Sequence, residues 1–215
     1  MKKIISFSLW GTNPKYLVGA IKNIELSKIY YPGWICRFYV GKSVPKYYIE
    51  EMQKHKNTEI VFMNDEGDLS GMLWRFLPAS DEDVEMMISR DCDSRLNKRE
   101  ESAVKEWVNS EKSFHIMRDH PNHGIKILGG MWGVKNPTLK GMKKWISIYE
   151  KGNYYQVDQN FLLKFVYPII ENDCIIHDEF FEKKKFPNPR EGKQFVGEPF
   201  DEFDNPDDYY RSLIV

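Results

Sequence analysis

The stretch "MMISRDCDSRLNKREE", residues 86–101, decides how this chain is read. A short apolar run stops abruptly at Asp91-Cys92-Asp93, with Arg90 before it and Arg95 after it. Two carboxylates two residues apart, directly after a buried strand, have two explanations. One is a polar turn. The other is a hard divalent cation, which prefers carboxylate oxygen and shares its coordination sphere with substrate phosphates. Spacing alone does not choose between them, because "DEDVE" (81–85) shows that acid-rich turns recur in this chain.

Position adds weight to the second. "IISFSL" (4–9), "ICRFYV" (35–40), "EIVFM" (59–63) and "VEMMIS" (84–89) are short apolar runs between turn residues, and each reads as a strand. Helical signals alternate with them. Asn13 is a natural N-cap, Pro14 suits the first helical position, and Leu17, Ala20, Ile21 and Ile24 make one stripe. Pro45 opens a second helix carrying Tyr48, Ile49 and Met52 on one face, and "DLSGMLWRFLPA" (68–79) reads as a short helix stopped near Pro78. The order β-α-β-α-β-α-β predicts a doubly wound α/β fold with a mainly parallel central sheet flanked by helices. Ligands bind such sheets beyond the carboxyl ends of the strands, where Trp10-Gly11, Asp91 and Asp93 stand.

Beyond the acids, Asn97 and Glu100 are spaced as a capping box, with Ala103, Val104, Trp107 and Val108 inward. "SFHIMRD" (113–119) reads as a strand leading into the Gly- and His-containing "HPNHGIKILGGMWGVK" (120–135). A helix is expected from Asn136-Pro137, with Met142, Trp145, Ile146 and Tyr149 facing inward. "VDQNFLLKFVYP" (157–168) predicts another helix, and "CIIH" (174–177) a short strand ending on His177. From about Glu182 the tail has little periodicity, which predicts an irregular segment on the surface or over the site. One domain over 1–215 is expected, with its two halves meeting at about 95/96.

The bulk numbers narrow the function classes. Lys plus Arg is 31 against 32 for Asp plus Glu, a net charge of −1, which argues against a general nucleic-acid binder. Hydrophobic residues at 41% are too many for a disordered chain. Cys36, Cys92 and Cys174 form no C-x-x-C pair, so neither a disulfide framework nor structural zinc is expected, and the compartment reads as reducing and cytoplasmic. The start "MKKIISFSLWG" imitates a signal peptide, but serines break it and no small-residue cleavage site follows. No apolar run approaches the roughly 20 residues of a membrane span.

Each candidate side chain has a plain structural alternative. Arg75, Arg90 and Arg95 suit phosphate or sugar hydroxyls, or pair with neighbouring acids. Gly129-Gly130 marks a close backbone approach to a ligand, or a tight bend. Asp158 caps a helix or faces a reacting sugar. Trp10 and Tyr16 stack on a base or fill a core. His177 completes an Asp-Asp-His metal site or is structural. Cys92 is the middle residue of its motif, with no sign of a reactive thiolate.

Together "SLWG", "SRDCDSR", "GGMWG", "DQNFL" and the strand-final histidine resemble the metal-dependent nucleotide-sugar glycosyltransferases of the GT-A fold, most closely the small domains encoded by chlorella viruses and related bacterial proteins. The resemblance spans nearly the whole chain and implies a nucleotide-binding half at about 1–95 and an acceptor-side half at about 96–215. It implies a UDP-sugar donor, a glycan or other hydroxyl acceptor and Mn²⁺ or Mg²⁺ on Asp91, Asp93 and His177. It implies donor contacts from Leu9, Trp10, Gly11, Tyr16, Arg75, Arg90, Cys92 and Gly130. Asp158 and Gln159 resemble the Asp-Gln pair of retaining, glycogenin-like transferases, which places them near the anomeric carbon. The tail departs from those enzymes. Where they carry a lysine against the diphosphate, this chain reads "FVGEPFD". The viral likeness also implies a host-cytoplasmic location, and the chain as one domain of a longer polypeptide stays open. Two other readings stand beside this one: a non-catalytic nucleotide-sugar or carbohydrate-binding module, and a D-x-D phosphotransferase. The latter needs an Asp after the first strand, where this chain has "SLWGTNP".

Overall fold

A computed structural model describes residues 1–135, 138–149 and 152–214. Its first half follows the expected alternation: β1 (Lys2–Leu9), α1 (Pro14–Tyr30), β2 (Ile35–Val40), α2 (Lys46–Gln53), β3 (Thr58–Phe62), a 3₁₀ segment (Leu69–Ser80) and β4 (Val84–Ser89). Among the described residues the sheet has seven strands in the order β3-β2-β1-β4-β6-β5-β7. β1 pairs in parallel with both β2 and β4, so the chain reverses its winding direction at β1/β4, and the cleft opens there.

The caps explain where the elements begin. Asn13 accepts from the Lys15 N–H at 3.0 Å, and Pro14 follows it into α1. The segment expected as a short helix before β4 is 3₁₀ in character, with Gly71 and Pro78 inside it. Both residues disfavour an α-helical interior, Gly through entropy and Pro through its missing donor. α3 (Lys98–Val108) is capped by Asn97, which accepts from Glu100 N at 3.0 Å. The capping box is only half formed, because the Glu100 carboxylate turns inward to the Tyr31 hydroxyl at 2.8 Å and to Arg90.

The second half holds two elements that the sequence reading did not assign. β5 (Phe114–Arg118) is where it was expected, but "GGMWGVK" contains β6 (Trp132–Lys135), which runs antiparallel to both β4 and β5. The sheet is therefore mixed around this one reversed strand. α4 (Met142–Ile148) begins after Gly141, and the helix start expected at Asn136-Pro137 lies outside the described residues. α5 (Val157–Phe161) runs through a π-helical turn (Leu162–Val166) into α6 (Tyr167–Ile170). Pro168, which has no N–H to donate back, sits where the hydrogen-bond ladder changes. β7 (Cys174–Asp178) ends the sheet, and the tail carries a five-residue α7 (Asp208–Ser212).

Two apolar layers cover the two faces of the sheet. Phe7, Phe38, Leu17, Ile24, Met52 and Trp107 fill one, beneath α1, α2 and α3. Phe76, Trp132, Val134, Phe161 and Ile170 fill the other.

Candidate functional site

The turn after β4 is fixed from below before it presents anything to solvent. Asn23 of α1 donates to the carbonyls of Ser94 at 2.9 Å and Cys92 at 3.4 Å, and accepts from Leu96 N at 3.0 Å. Gly19 lets α1 lie directly on this turn, since a Cβ there would stand 2.0 Å from the Cys92 carbonyl oxygen. The Cys92 thiol donates to Ser8 O at 3.4 Å, and burial pushes its pKa well up. It is a buried anchor and not a nucleophile.

So held, Asp91 and Asp93 face a cleft of about 880 Å³. Asp91 is close-paired with Nη1 of Arg75, whose Nη2 donates to Asp158 Oδ2 at 2.7 Å. One buried guanidinium thus ties the end of β4 to the start of α5. Burial alone would lower its pKa, but Asp91 and Asp158 outweigh that and raise it. Gly129 and Gly130 make room for this arrangement. A Cβ on Gly129 would stand 1.9 Å from Asp158 Oδ2, and one on Gly130 the same distance from Asp91 Oδ2. The sequence left a ligand approach or a tight bend open at these glycines; in the structure carboxylates pack against both, and both line the cleft.

Asp93 accepts from Lys15 Nζ at 2.8 Å. Burial raises its pKa, Asp91 adds to that, and Lys15 does not reverse it. Three carboxylates (Asp91, Asp93, Asp158) against two cations (Lys15, Arg75) leave the cleft floor short of positive charge.

The walls come from several regions of the chain. Leu9, Trp10 and Gly11 line the end of β1, with the Trp10 indole edge-on to Trp74 at 6.0 Å. Tyr16, 39% exposed, stands at the α1 rim. Gln156 and Gln159 come from the α5 side. Gln156 has a left-handed φ of 70°, unusual for a non-glycine residue, and Gln159 Oε1 is buried without a partner. The tail supplies Phe195, Gly197 and Tyr210 and closes over the turn through a Phe200 N–H to Asp93 O bond at 2.8 Å. His120 also lines the cleft, but both its nitrogens are engaged: Nδ1 accepts from Asn122 N at 3.0 Å and Nε2 donates to Tyr210 O at 2.9 Å.

Two expected contacts are corrected. His177 does not join Asp91 and Asp93. β7 is the edge strand, with β6 and β5 between it and β4, and the imidazole is buried with Nδ1 2.8 Å from His115 Nε2. Among the described residues no group of three or more His, Cys, Asp or Glu is arranged to hold a metal. Arg90 does not reach the cleft either. It is buried under the sheet against Glu100 at 3.2 Å and Ser89 O at 2.7 Å. Arg95 ties the tail down, through Asp204 at 2.9 Å and Asp201 O at 3.1 Å. The sequence reading missed Lys15, His120, Gln156 and Tyr210. Only Lys15 carried a signal, as a cation in the first turn of a helix with no acid there.

A seven-stranded sheet in the order 3-2-1-4-6-5-7, reversed at β6, with a D-x-D turn after β4, is the decisive observation. The fold is GT-A. A glycosyltransferase involved in the glycosylation of the major capsid of PBCV-1 superposes with a TM-score of 0.55 over 86% of this chain and 91% of its own, at 17% identity. A mannosyltransferase from Pyrobaculum calidifontis, solved with GDP-Man and Mn²⁺, gives 0.55 at 13% identity over 83% of this chain and 55% of its own. The 4-diphosphocytidyl-2C-methyl-D-erythritol synthase of Anaerococcus prevotii gives 0.54 at 8% identity over 88% and 93%. No family profile and no curated protein matches the sequence. At such identities the likeness establishes the GT-A fold, and the chemistry is argued from the site.

Proposed function

We propose that the chain is a metal-dependent glycosyltransferase that moves a sugar from a UDP-sugar to a hydroxyl of a glycan or other acceptor, with retention at the anomeric carbon. The carrying observation is the cleft floor: two carboxylates from one pinned turn, next to an Arg75–Asp158 pair, in a cavity with room for a nucleotide sugar.

The donor set fits Mn²⁺ or Mg²⁺ in one form only. Asp91 and Asp93 supply two hard oxygens, and diphosphate and water must supply the rest, since His177 is absent from the site. An ion held there would offset the negative charge that builds on the leaving diphosphate, more in the transition state than in the ground state. The protein's own groups do the positioning. Arg75 fixes Asp91 and Asp158 relative to one another. Gln159 lines the cleft, and a turn of its side chain would bring Oε1, buried without a partner, to accept from a donor-sugar hydroxyl. Trp10 and Tyr16 offer aromatic faces to the base. The tail shields the site from water, but its acid does not face the phosphates: Glu198 is buried and paired with Arg211. Retention is supported by the likeness of Asp158-Gln159 to the pair in retaining enzymes and by the position of both at the cleft.

Among the described residues no helix is long and apolar enough to cross a membrane, and the three cysteines are free. The proposal includes a reducing, cytoplasmic setting, carried by the cysteine usage of the sequence.

A panel of UDP-, GDP- and CDP-sugars, read by thermal shift with and without Mn²⁺, tests the assignment. Ligand at a hundredfold excess over Kd stabilises by about 2.7 kcal/mol, or roughly 5–10 °C for a chain of this size. The expected result is a Mn²⁺-dependent shift for UDP-sugars, with slow UDP release without acceptor. A larger shift with GDP- or CDP-sugars would overturn the base assignment. Binding with no UDP release from any UDP-sugar would favour the non-catalytic module.

A further inference from the structure

The two acids of the D-x-D turn have counter-ions of different kinds. Asp91 is paired with Arg75, whose guanidinium is buried, 5% exposed, and clamped at its other end by Asp158. Asp93 is paired with Lys15, whose side chain is 32% exposed and rises from the first turn of α1 into the cleft. A guanidinium held by two carboxylates is fixed in place. An ammonium on a flexible four-carbon stem is not.

Lys15 also sits where helix electrostatics oppose it. The N-terminus of a helix carries partial positive charge, and the first turn of α1 has no acidic residue to offset a lysine. What holds the ammonium is Asp93. The contact is direct, Nζ to Asp93 Oδ2 at 2.8 Å, with no other residue between them. The ammonium therefore occupies the carboxylate that a divalent cation needs.

We propose that Lys15 is a displaceable counter-ion, which occupies Asp93 until a divalent cation takes that carboxylate, and whose freed ammonium then pairs with the diphosphate of the nucleotide. This rests on the metal-dependent reading above. It makes metal and nucleotide binding interdependent. The metal alone must evict Lys15 into solvent. With nucleotide present, the evicted ammonium gains a phosphate oxygen beside the positive end of α1. By linkage, UDP tightens Mn²⁺ binding and Mn²⁺ tightens UDP binding by the same factor.

Mn²⁺ affinity, read from the electron paramagnetic resonance signal of the free aqueous ion, tests this without turnover. The parent, Lys15→Met, Lys15→Arg and Asp93→Ala are each titrated with and without UDP. Lys15→Met keeps the apolar stem and loses the charge; Lys15→Gln serves if the methionine variant does not fold. The expected result is that Lys15→Met binds Mn²⁺ alone about tenfold tighter than the parent, and that the gain conferred by UDP falls by a similar factor. Lys15→Arg retains the competition. If Lys15→Met binds Mn²⁺ alone no tighter than the parent, while Asp93→Ala loses the ion, this inference is wrong and the metal reading stands. If neither the parent nor Lys15→Met binds Mn²⁺, with or without UDP, both are wrong.

Discussion

β4 and β7 run in the same direction in one sheet, and each has residues suited to a metal ion at or just beyond its carboxyl end. Their ends meet different surroundings. Beyond β4 the chain turns over α1 at the point where the winding reverses, so Asp91 and Asp93 open into a cleft. β7 lies beyond two intervening strands, and its penultimate residue His177 closes on His115, with Glu106 3.6 Å from its other nitrogen. Burial lowers the pKa of His177 and that of His115, keeping both neutral inside the fold. A strand end becomes a ligand site through its place in the strand order, and residue type alone does not decide it.

The largest effect expected from this contrast comes from Gly130→Ala. Its φ is ordinary, so the backbone tolerates alanine, but the added Cβ would stand 1.9 Å from Asp91 Oδ2 and push that carboxylate aside. Misplacing a reacting group by about 1 Å costs roughly a hundredfold in turnover. The variant should keep its far-UV circular dichroism while losing sugar transfer on that scale. Near-parental turnover would show that Asp91 is not held where the chemistry needs it. A smaller and opposite signature belongs to the β7 end. His177→Ala leaves buried His115 Nε2 without its partner and should cost about 1–3 kcal/mol in urea unfolding. Mn²⁺ affinity should not change. A weakened ion in that variant would return His177 to the metal site and erase the difference between the two strand ends.

What the sequence made legible follows the range of the interactions involved. The strands β1 to β4, the Asn13-Pro14 start of α1 and the strand-end acids are signalled by neighbouring residues, and they stand where the pattern put them. β6 was not legible. Four residues with Gly133 among them show no clear alternation, and nothing local states that a strand runs antiparallel. α7 is five residues long with none buried, so it leaves no apolar stripe to read. The pairing of Arg75 with Asp158 spans 83 positions, and the same gap hid the reason for Gly129. Arg90 and Arg75 are both arginines upstream of the D-x-D, and nothing in the sequence says which one reaches the cleft. One faces Glu100 under the sheet and the other faces two carboxylates at the cleft, and only the packing separates them.

The central claim is that Asp91 and Asp93 hold a divalent cation against the diphosphate of a UDP-linked donor. Calorimetric titration of UDP into the parent and into Asp93→Ala, each with and without Mn²⁺, addresses it directly. Asp93 is partly exposed, and its loss removes one surface-reaching ion pair with Lys15, so the fold should survive the substitution. The account predicts UDP binding to the parent that strengthens at least about tenfold with Mn²⁺, and an Asp93→Ala variant in which Mn²⁺ makes no difference. Equal UDP affinity in all four titrations would contradict it.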